Sequence, residues 1–198
     1  MFIFNLFFYG IYISTPRVQL PNSIAQFNMK VYKLKNDNKM HDWKAMILYS
    51  NIIEENMPLR IQDQCMTSEV FGSLRCDCNE QLQQSMNLIK ENGMIIYLPN
   101  EGRGIGLYNK ILTYKLQEYE YDTFESCDVL NFPYEKRDYS IVPTILNDFN
   151  IKSINFITNN NYKIKKLERS NIKINKIINL NLNINKYNKK YMETKYKI

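Results

Sequence analysis

Three cysteines in a short stretch of the chain have the residue type and spacing of a metal site. Cys65 is followed by Cys76 after ten intervening residues and by Cys78 one residue further on. Thiolates are soft donors that suit zinc. Three protein ligands with one open position are typical of catalytic zinc, whereas structural zinc is usually closed by four ligands. The cluster therefore indicates a hydrolytic zinc centre, where the open position holds a water whose pKa the metal lowers.

Two plainer interpretations of the same cysteines stay open. They could be buried thiols, or they could belong to a structural zinc site that Cys127 or His41 completes. Cys-x-Cys is a less common zinc spacing than Cys-x-x-Cys. The spacing alone therefore does not decide between a catalytic centre and these alternatives.

A glycine-rich stretch is the second candidate site. The apolar run Met94–Leu98 predicts a central strand, and the sequence 101–106 (EGRGIG) follows it and leads into a predicted helix. Strand, glycine loop and helix in this order present backbone amides to phosphate groups. The glycines match neither the dinucleotide fingerprint nor the P-loop. The charged residues Glu101 and Arg103 inside the loop favour a ligand site over a simple turn.

Two later stretches contain further charged candidates. The segment 132–138 is polar and rich in turn residues, and it brings Arg137 close to carboxylates, although its composition alone fits a solvated loop. The run Ser153–Ile157 predicts a strand that ends at Thr158, and a short predicted helix containing Lys163 follows. A strand end that faces a helix N-terminus is a common ligand position in α/β folds.

The elements that must position these residues alternate between strand and helix. Residues 18–33 predict an opening hairpin, and 45–53 an apolar buried strand. A helix is predicted from the cysteines to the stop signal Asn92-Gly93, another over 140–149, and a last strand over 172–178. This alternation predicts an α/β fold, a mixed sheet with flanking helices.

Length and composition narrow the class of protein. The 198 residues suit a single domain, which we place at residues 18–198. The apolar residues 1–17 are set aside as an N-terminal extension or partial leader, since their apolar run is too short for a membrane span. A net charge of +6 suits anionic nucleotides and is weak support for nucleic acid. Four cysteines, mostly clustered, favour a metal in a reducing compartment over a disulfide framework.

Taken together, the motifs resemble the GTP cyclohydrolase II family, whose members open riboflavin biosynthesis. The resemblance covers roughly residue 18 to the C-terminus, and its motifs are specific in order and spacing. The segments that carry it are 65–82 (CMTSEVFGSLRCDCNEQL), 100–123 (NEGRGIGLYNKILTYKLQEYEYDT), 131–139 (NFPYEKRDY), 157–164 (ITNNNYKI) and 191–195 (YMETK).

The resemblance implies zinc- and magnesium-assisted hydrolysis of GTP at C8 of guanine, with release of formate and pyrophosphate. Cys65, Cys76 and Cys78 would hold one zinc ion. Arg137 matches a nucleophile or stabiliser at the α-phosphate, Glu135 a general base, and Tyr114 a tyrosine near the zinc reaction. The implied GTP contacts are Arg60, Ile61, Gln62, Asp63, Gln64, Gln81, Glu101, Gly102, Arg103, Thr123, Thr158 and Lys163.

The same resemblance implies a homodimer, and we expect a cytoplasmic protein with no membrane or nucleic-acid partner, although import into an organelle stays open. A small zinc module that binds nucleic acid is disfavoured, because such modules use four ligands per zinc and a concentrated basic surface.

Several positions depart from the family pattern. Gln62 and Gln64 stand where the family has histidine and glutamate, so neither can shuttle a proton or carry charge at neutral pH. Glu135 replaces an aspartate, Asn161 replaces a proline, and the segment 99–100 before Glu101 looks two residues shorter than usual. These changes define the alternative, a diverged relative that binds zinc and nucleotide with altered or lost activity.

Overall fold

The computed structural model describes residues 7–9, 11–37 and 43–195, and within them nine strands form one sheet. The strands are β1 (Phe7–Tyr9), β2 (Tyr12–Ser14), β3 (Val18–Pro21), β4 (Gln26–Leu34), β5 (Trp43–Tyr49), β6 (Met57–Asp63), β7 (Met94–Leu98), β8 (Ser153–Ile157) and β9 (Lys173–Ile178). The helices are α1 (Met66–Glu69), α2 (Cys78–Ile89), α3 (Leu107–Gln117), α4 (Thr123–Val129), α5 (Val142–Asp148), α6 (Asn161–Glu168) and α7 (Lys189–Lys195), and a 3₁₀ turn spans Glu101–Gly104.

The sheet has an antiparallel half and a parallel half. The strand order is β1-β2-β4-β5-β7-β6-β8-β9, and β3 also pairs with β4. Neighbours are antiparallel from β1 to β7 and parallel from β7 to β9. The chain passes from β6 to β7 on one side and then to β8 on the other. The predicted mixed α/β architecture is confirmed, and the crossing creates the kind of strand-end crevice where α/β folds bind ligands.

The sheet is covered by apolar packing on both faces. On one face the fully buried Leu59, Ile96 and Phe156 form a core with Ile145 and Leu146 of α5. Each such burial contributes roughly 1.5–3 kcal/mol. On the other face a smaller core contains Phe27, Ile89, Ile95, Ile157 and Leu180. Burial on both sides fixes the parallel strands, so the side chains at their ends are held in place.

Most predicted elements are present, but β6, at the centre of the parallel half, is not among them. The opening hairpin is confirmed by pairing of Val18 with Met29, and the other predicted strands and helices occur within a few residues of their expected bounds. No element is predicted over residues 58–64, whereas 57–63 form a strand between β7 and β8. Met57, Leu59 and Ile61 are its fully or almost fully buried apolar residues.

The N-terminal residues extend the antiparallel edge of the sheet. Ser14 of β2 lies opposite Tyr32 of β4, and β1 pairs with β2. Residues 1–6 and 10 lie outside the described part of the chain, and the domain boundary at residue 18 stays a prediction. Among the described residues, no helix combines the length and the apolar character needed to cross a bilayer.

Candidate functional site

A cleft of about 420 Å³ opens at the carboxyl edge of the parallel strands. Asp63 at the end of β6 lies opposite Leu98 at the end of β7, and Thr158 follows β8 directly. Ile61 does not line the cleft, since its side chain is buried in the core. The other residues proposed from the sequence line it: Arg60, Gln62, Asp63, Gln64, Cys65, Cys76, Cys78, Gln81, Glu101, Gly102, Arg103, Tyr114, Thr123, Glu135, Arg137, Thr158 and Lys163.

Three cysteine thiols converge on one side of this cleft. Cys65 follows β6 and precedes α1, Cys76 lies in the connecting loop, and Cys78 is the first residue of α2. Their sulfur atoms all lie within 4.8 Å of one another, and none forms a disulfide. The sulfurs of Cys65 and Cys76 are 3.6 Å apart. A tetrahedral zinc with Zn–S bonds of about 2.3 Å needs sulfurs about 3.8 Å apart. The donor type and the spacing therefore fit zinc.

The proposed completion of a four-ligand site is not seen in the described residues. Cys127 lies in α4 and lines the cleft, but it does not belong to the group of thiols that could share a metal. His41 falls outside the residues that the structure describes. Within the described chain, the metal-binding group therefore has three protein ligands, the number typical of a catalytic centre.

A buried lysine connects the thiols to the glycine-rich loop. The Lys110 ammonium donates to the Cys65 sulfur at 3.0 Å and to Glu101 Oε1 at 2.7 Å. The other oxygen of Glu101 accepts from the Met66 amide at 2.7 Å. Hydrogen bonds from Cys76 and Cys78, together with Lys110, lower the pKa of the Cys65 thiol. Lys110 therefore favours the thiolate form of Cys65. Glu101 holds Lys110 and the backbone that follows Cys65 in place.

A second carboxylate holds the backbone of the same cysteine. Glu69 accepts from the Cys65 amide at 3.2 Å, from the Tyr97 hydroxyl at 2.5 Å and from Gln62 Nε2 at 2.8 Å. Burial raises the pKa of Glu69. Gln62 in turn accepts from Arg60 Nε at 2.9 Å. The neutral amide at 62 thus joins a cation to a carboxylate, and both ends of its side chain are engaged.

Arg60 extends this network toward α2. It donates to the side-chain oxygen of Gln81, whose amide nitrogen donates to Asp77 Oδ2 at 2.6 Å. All three side chains are almost fully buried. The donor and acceptor groups of Gln81, expected from the sequence to read a purine edge, are both engaged within the protein. A purine contact through Gln81 therefore requires these bonds to rearrange or to be shared.

The opposite side of the cleft carries a compact group of charges around Asp63. Its Oδ2 contacts Lys163 at 2.7 Å and Arg137 at 3.1 Å, and it accepts from the Tyr139 hydroxyl at 3.0 Å. Burial opposes ionisation of Asp63, but Lys163 and Arg137 outweigh it and lower its pKa to about 2. Burial lowers the pKa of Lys163 to about 8, although Asp63 acts in the other direction. Lys163 and Arg137 thus share the Asp63 carboxylate, and Arg103, which lines the same cleft, adds a further cation.

Glu135 and Arg137 are bound to each other. Arg137 donates through Nε to both Glu135 oxygens, at 2.8 and 2.9 Å, and also through Nη2. The arginine therefore stands between the Glu135 and Asp63 carboxylates. Such paired, charge-assisted bonds fix the plane of the guanidinium group.

Backbone geometry brings the glycine-rich loop against this arginine segment. Arg103 has φ +58°, and its carbonyl accepts from the Lys136 amide at 2.9 Å. Gly104 has φ +89°, and a Cβ there would lie 2.6 Å from the Lys136 carbonyl, so only glycine fits. Arg103 Nη1 is buried without a hydrogen-bond partner, and its guanidinium lies 5.5 Å from the Phe124 ring centre. The unpartnered donor provides a further contact for an anion.

Thr123, Thr158 and Tyr114 are the remaining proposed residues that line the cleft. Thr123 opens α4, and Thr158 accepts from the Asn160 amide at 3.0 Å. The side chain of Asn160 accepts from the amides of Tyr162 and Lys163 and so caps α6. Burial raises the pKa of Tyr114 to about 12, which keeps its hydroxyl protonated beside the thiols.

Sequence reasoning missed several residues that the structure places in the site. The sequence patterns did not single out Lys110, Glu69 or Tyr97, whose roles depend on contacts made in the fold. Tyr191 was noted only as part of a C-terminal match, yet it lines the cleft. Helix α4 was also missed, although Asp122 and Glu125 form a capping box at its start, a signal that the sequence carries.

The fold and site together define an α/β protein with a three-thiol metal group beside a cationic cleft. The GTP cyclohydrolase II family model matches residues 14–179. A GTP cyclohydrolase-2 of Campylobacter hominis is 40% identical over 178 residues, which are 89% of this chain and 88% of the relative. The GTP cyclohydrolase-2 of Picrophilus torridus is 40% identical over 182 residues, 90% of this chain and 93% of the relative.

A longer relative matches over the same region. The riboflavin biosynthesis protein RibBA of Staphylococcus saprophyticus is 41% identical over 180 residues, which are 90% of this chain and 45% of that protein. The chain therefore belongs to the GTP cyclohydrolase II family of enzymes.

Proposed function

We propose that the protein hydrolyses GTP at C8 of guanine with zinc and releases formate and pyrophosphate. The product would be 2,5-diamino-6-ribosylamino-pyrimidinone 5′-phosphate, in the first step of riboflavin biosynthesis. The observation that carries the proposal is the convergence of three thiols and a cationic group in one cleft. The family match and the names of the relatives support the choice of substrate and pathway.

On the metal side, Cys65, Cys76 and Cys78 would hold the zinc ion, which supplies an activated water when bound. Lys110 and Glu69 keep the first of these ligands in position, through its sulfur and its amide respectively. Tyr114 lines the cleft on this side, with its hydroxyl protonated, so it can donate a hydrogen bond to a reacting group. The guanine ring would therefore lie next to the thiols.

On the other side, Lys163, Arg137 and Arg103 would bind the triphosphate, and Mg²⁺ would accompany it. Arginine and lysine form strong charge-assisted bonds to phosphate. Binding would use the partnerless Arg103 Nη1 and draw Lys163 and Arg137 partly away from Asp63. We propose that Arg137 acts at the α-phosphate and that Glu135, bound to it, serves as the base.

Gln62 and Gln64 set this chain apart from the family pattern. Gln62 is 1% exposed and engaged by Arg60 and Glu69, so it serves as a structural bridge that transfers no proton. Gln64 lines the cleft but brings no charge to it. A reaction in this chain would therefore use other groups of the cleft for its proton transfers, such as Glu135, Tyr114 or solvent.

The test is turnover of GTP by purified protein with zinc and magnesium, followed through formate and pyrophosphate. Cys76→Ser should abolish turnover and zinc binding. Cys127→Ser is the matched control, because Cys127 lines the same cleft but lies outside the thiol group, and it should retain both. Zinc binding by the unaltered protein without turnover would refute the enzymatic proposal and support the diverged relative. Gln62→His with Gln64→Glu would then show whether the two amides are responsible.

We further propose a homodimer that forms through α3. Leu107, Tyr108, Ile111 and Leu112 lie along one side of this helix and are 36–79% exposed. An apolar stripe at this spacing is typical of a helix that packs against another surface. A cytoplasmic location is proposed as well, because the four free thiols need a reducing compartment.

A further inference from the structure

The C-terminal segment 180–195 crosses the outer side of α2 and ends at the cleft. Its first residue, Leu180, is buried in the smaller core. The Leu180 carbonyl accepts from Asn159 Nδ2 at 3.0 Å, and its amide donates to Asn159 Oδ1 at 2.9 Å. Asn159 itself lines the cleft. The segment therefore starts firmly attached to the loop after β8, on the phosphate side.

Helix α2 holds the middle of the segment. Glu80 accepts from the Asn183 amide at 3.0 Å and from its side chain at 2.6 Å. Gln84 donates to the Asn181 carbonyl at 2.5 Å. Further on, Asn188 is 2% exposed and donates to the Asn183 carbonyl at 3.0 Å. These contacts set the direction in which α7 approaches the cleft.

Helix α7 delivers one aromatic side chain to the metal side of the cleft. Tyr191 lines the cleft, and the neighbouring Met192 is 2% exposed, which anchors the helix. Burial raises the pKa of Tyr191, and Cys78 and Asp77 reinforce the shift while Arg103 opposes it. Asn185, which precedes α7, donates to the carbonyl of Leu74 in the loop that leads to Cys76, so the Tyr191 ring enters the cleft on the thiol side. Tyr187, in the turn that precedes α7, is 58% exposed.

We propose that Tyr191 forms the aromatic wall against which the guanine base packs, so that the C-terminal segment completes the nucleotide site. This inference rests on the proposed function, which places the base beside the thiols and the phosphates beside Lys163. Tyr191 lies on the thiol side of the cleft, where the proposed function places the guanine base. The phosphates would lie on the other side, beside Lys163. Aromatic side chains stack on bases of any sequence because every base presents a π-face.

The test is calorimetric binding of two ligands to zinc-loaded full-length protein: the α,β-methylene analogue of GTP, and tripolyphosphate. Tyr191→Ala should weaken the analogue at least about tenfold, the usual scale for one stacked base. Tripolyphosphate affinity and zinc content should not change. Tyr191→Phe, which keeps the ring, should bind the analogue within about twofold of the unaltered protein. Tyr187→Ala is the matched control and should leave both affinities unchanged.

Equal binding of the analogue by Tyr191→Ala and the unaltered protein would overturn the inference. Equal weakening of both ligands would also overturn it, since that result means a general structural role. Tyr191→Leu, which keeps apolar bulk, replaces the alanine variant if that variant melts early, and the same expectations apply. Failure of the unaltered protein to bind the analogue at all would overturn the proposed function along with the inference, so the two failures are distinguishable.

Discussion

Raising the pH through the pKa of Lys163 should lower kcat/KM for GTP. The same change should increase the free energy of unfolding. The Lys163 ammonium is buried among Asp63, Arg60, Arg137 and the Tyr139 ring. Burial lowers its pKa to about 8 from an ordinary value of 10.5. Above that pKa the free enzyme loses a cation that we propose binds the triphosphate.

The expected fall in kcat/KM follows from the fraction of Lys163 side chains that stay protonated. About half of the Lys163 side chains are charged at pH 8, and roughly a tenth at pH 9. Because kcat/KM reports groups of the free enzyme, it should fall about tenfold per pH unit above pH 8. The assay is the initial rate of formate release at low GTP concentration between pH 7 and 9.5.

Stability should move in the opposite direction. The unfolded chain binds the proton more tightly than the folded protein, so the folded state gains stability as pH rises from about 8 to 10.5. The full gain is about 3 kcal/mol relative to Lys163→Met, measured by urea unfolding.

Lys163→Arg is the control for activity, because a guanidinium stays charged throughout this range. In this variant the fall in kcat/KM above pH 8 should disappear, whatever its absolute rate. A flat profile to pH 9.5 in the unaltered enzyme, or the same fall in Lys163→Arg, would refute the assignment of this titration to Lys163.

Three further predictions concern the metal group, the charge cluster and the assembly. Lys110→Met should weaken zinc about 10–100-fold in a chelator competition, whereas Lys115→Met, an exposed change on the same helix, should not; equal affinities would contradict the role of Lys110. Asp63→Asn should lower the free energy of unfolding by about 3–5 kcal/mol, because it leaves buried cations unpaired, while Asp138→Asn should cost far less. Tyr108→Glu should convert the proposed dimer to a monomer in light scattering, and an unchanged mass would exclude this face.

The thiol group could be predicted from the sequence because its chemistry depends on residue type more than on distant packing. Cys65, Cys76 and Cys78 are brought together by short connections around α1 and the start of α2. The charges of the segment 132–138 looked like a solvated loop by composition. Only packing against the Arg103 backbone and Asp63 gives Arg137 its fixed place.

Strand β6 was harder to predict because its sequence mixes two patterns. Met57, Leu59 and Ile61 alternate as in a strand, but Pro58 and the polar residues Arg60 and Gln62 resemble a loop. Those polar residues are buried because other parts of the chain supply their partners, as Gln81 does for Arg60. The local pattern of apolar and polar residues gives no information on hydrogen-bond partners that lie far away in the sequence.

Lys110 and Tyr191 illustrate the same limit of local patterns. Lys110 lies in a helix with many exposed residues, and only its contacts with Cys65 and Glu101 distinguish it from a surface lysine. Tyr191 lies in a lysine- and asparagine-rich tail. Its position in the cleft depends on the tethering of that tail to Asn159 and α2.

Hydrolysis at C8 can be followed directly with GTP that carries ¹³C at C8 of guanine. The zinc-loaded protein, magnesium and this substrate would be followed by ¹³C NMR, with pyrophosphate measured in the same samples. The label should appear in formate in an amount equal to the pyrophosphate released, and Cys76→Ser should produce neither. Zinc bound at the three thiols with the label still in the purine ring would contradict hydrolysis at C8.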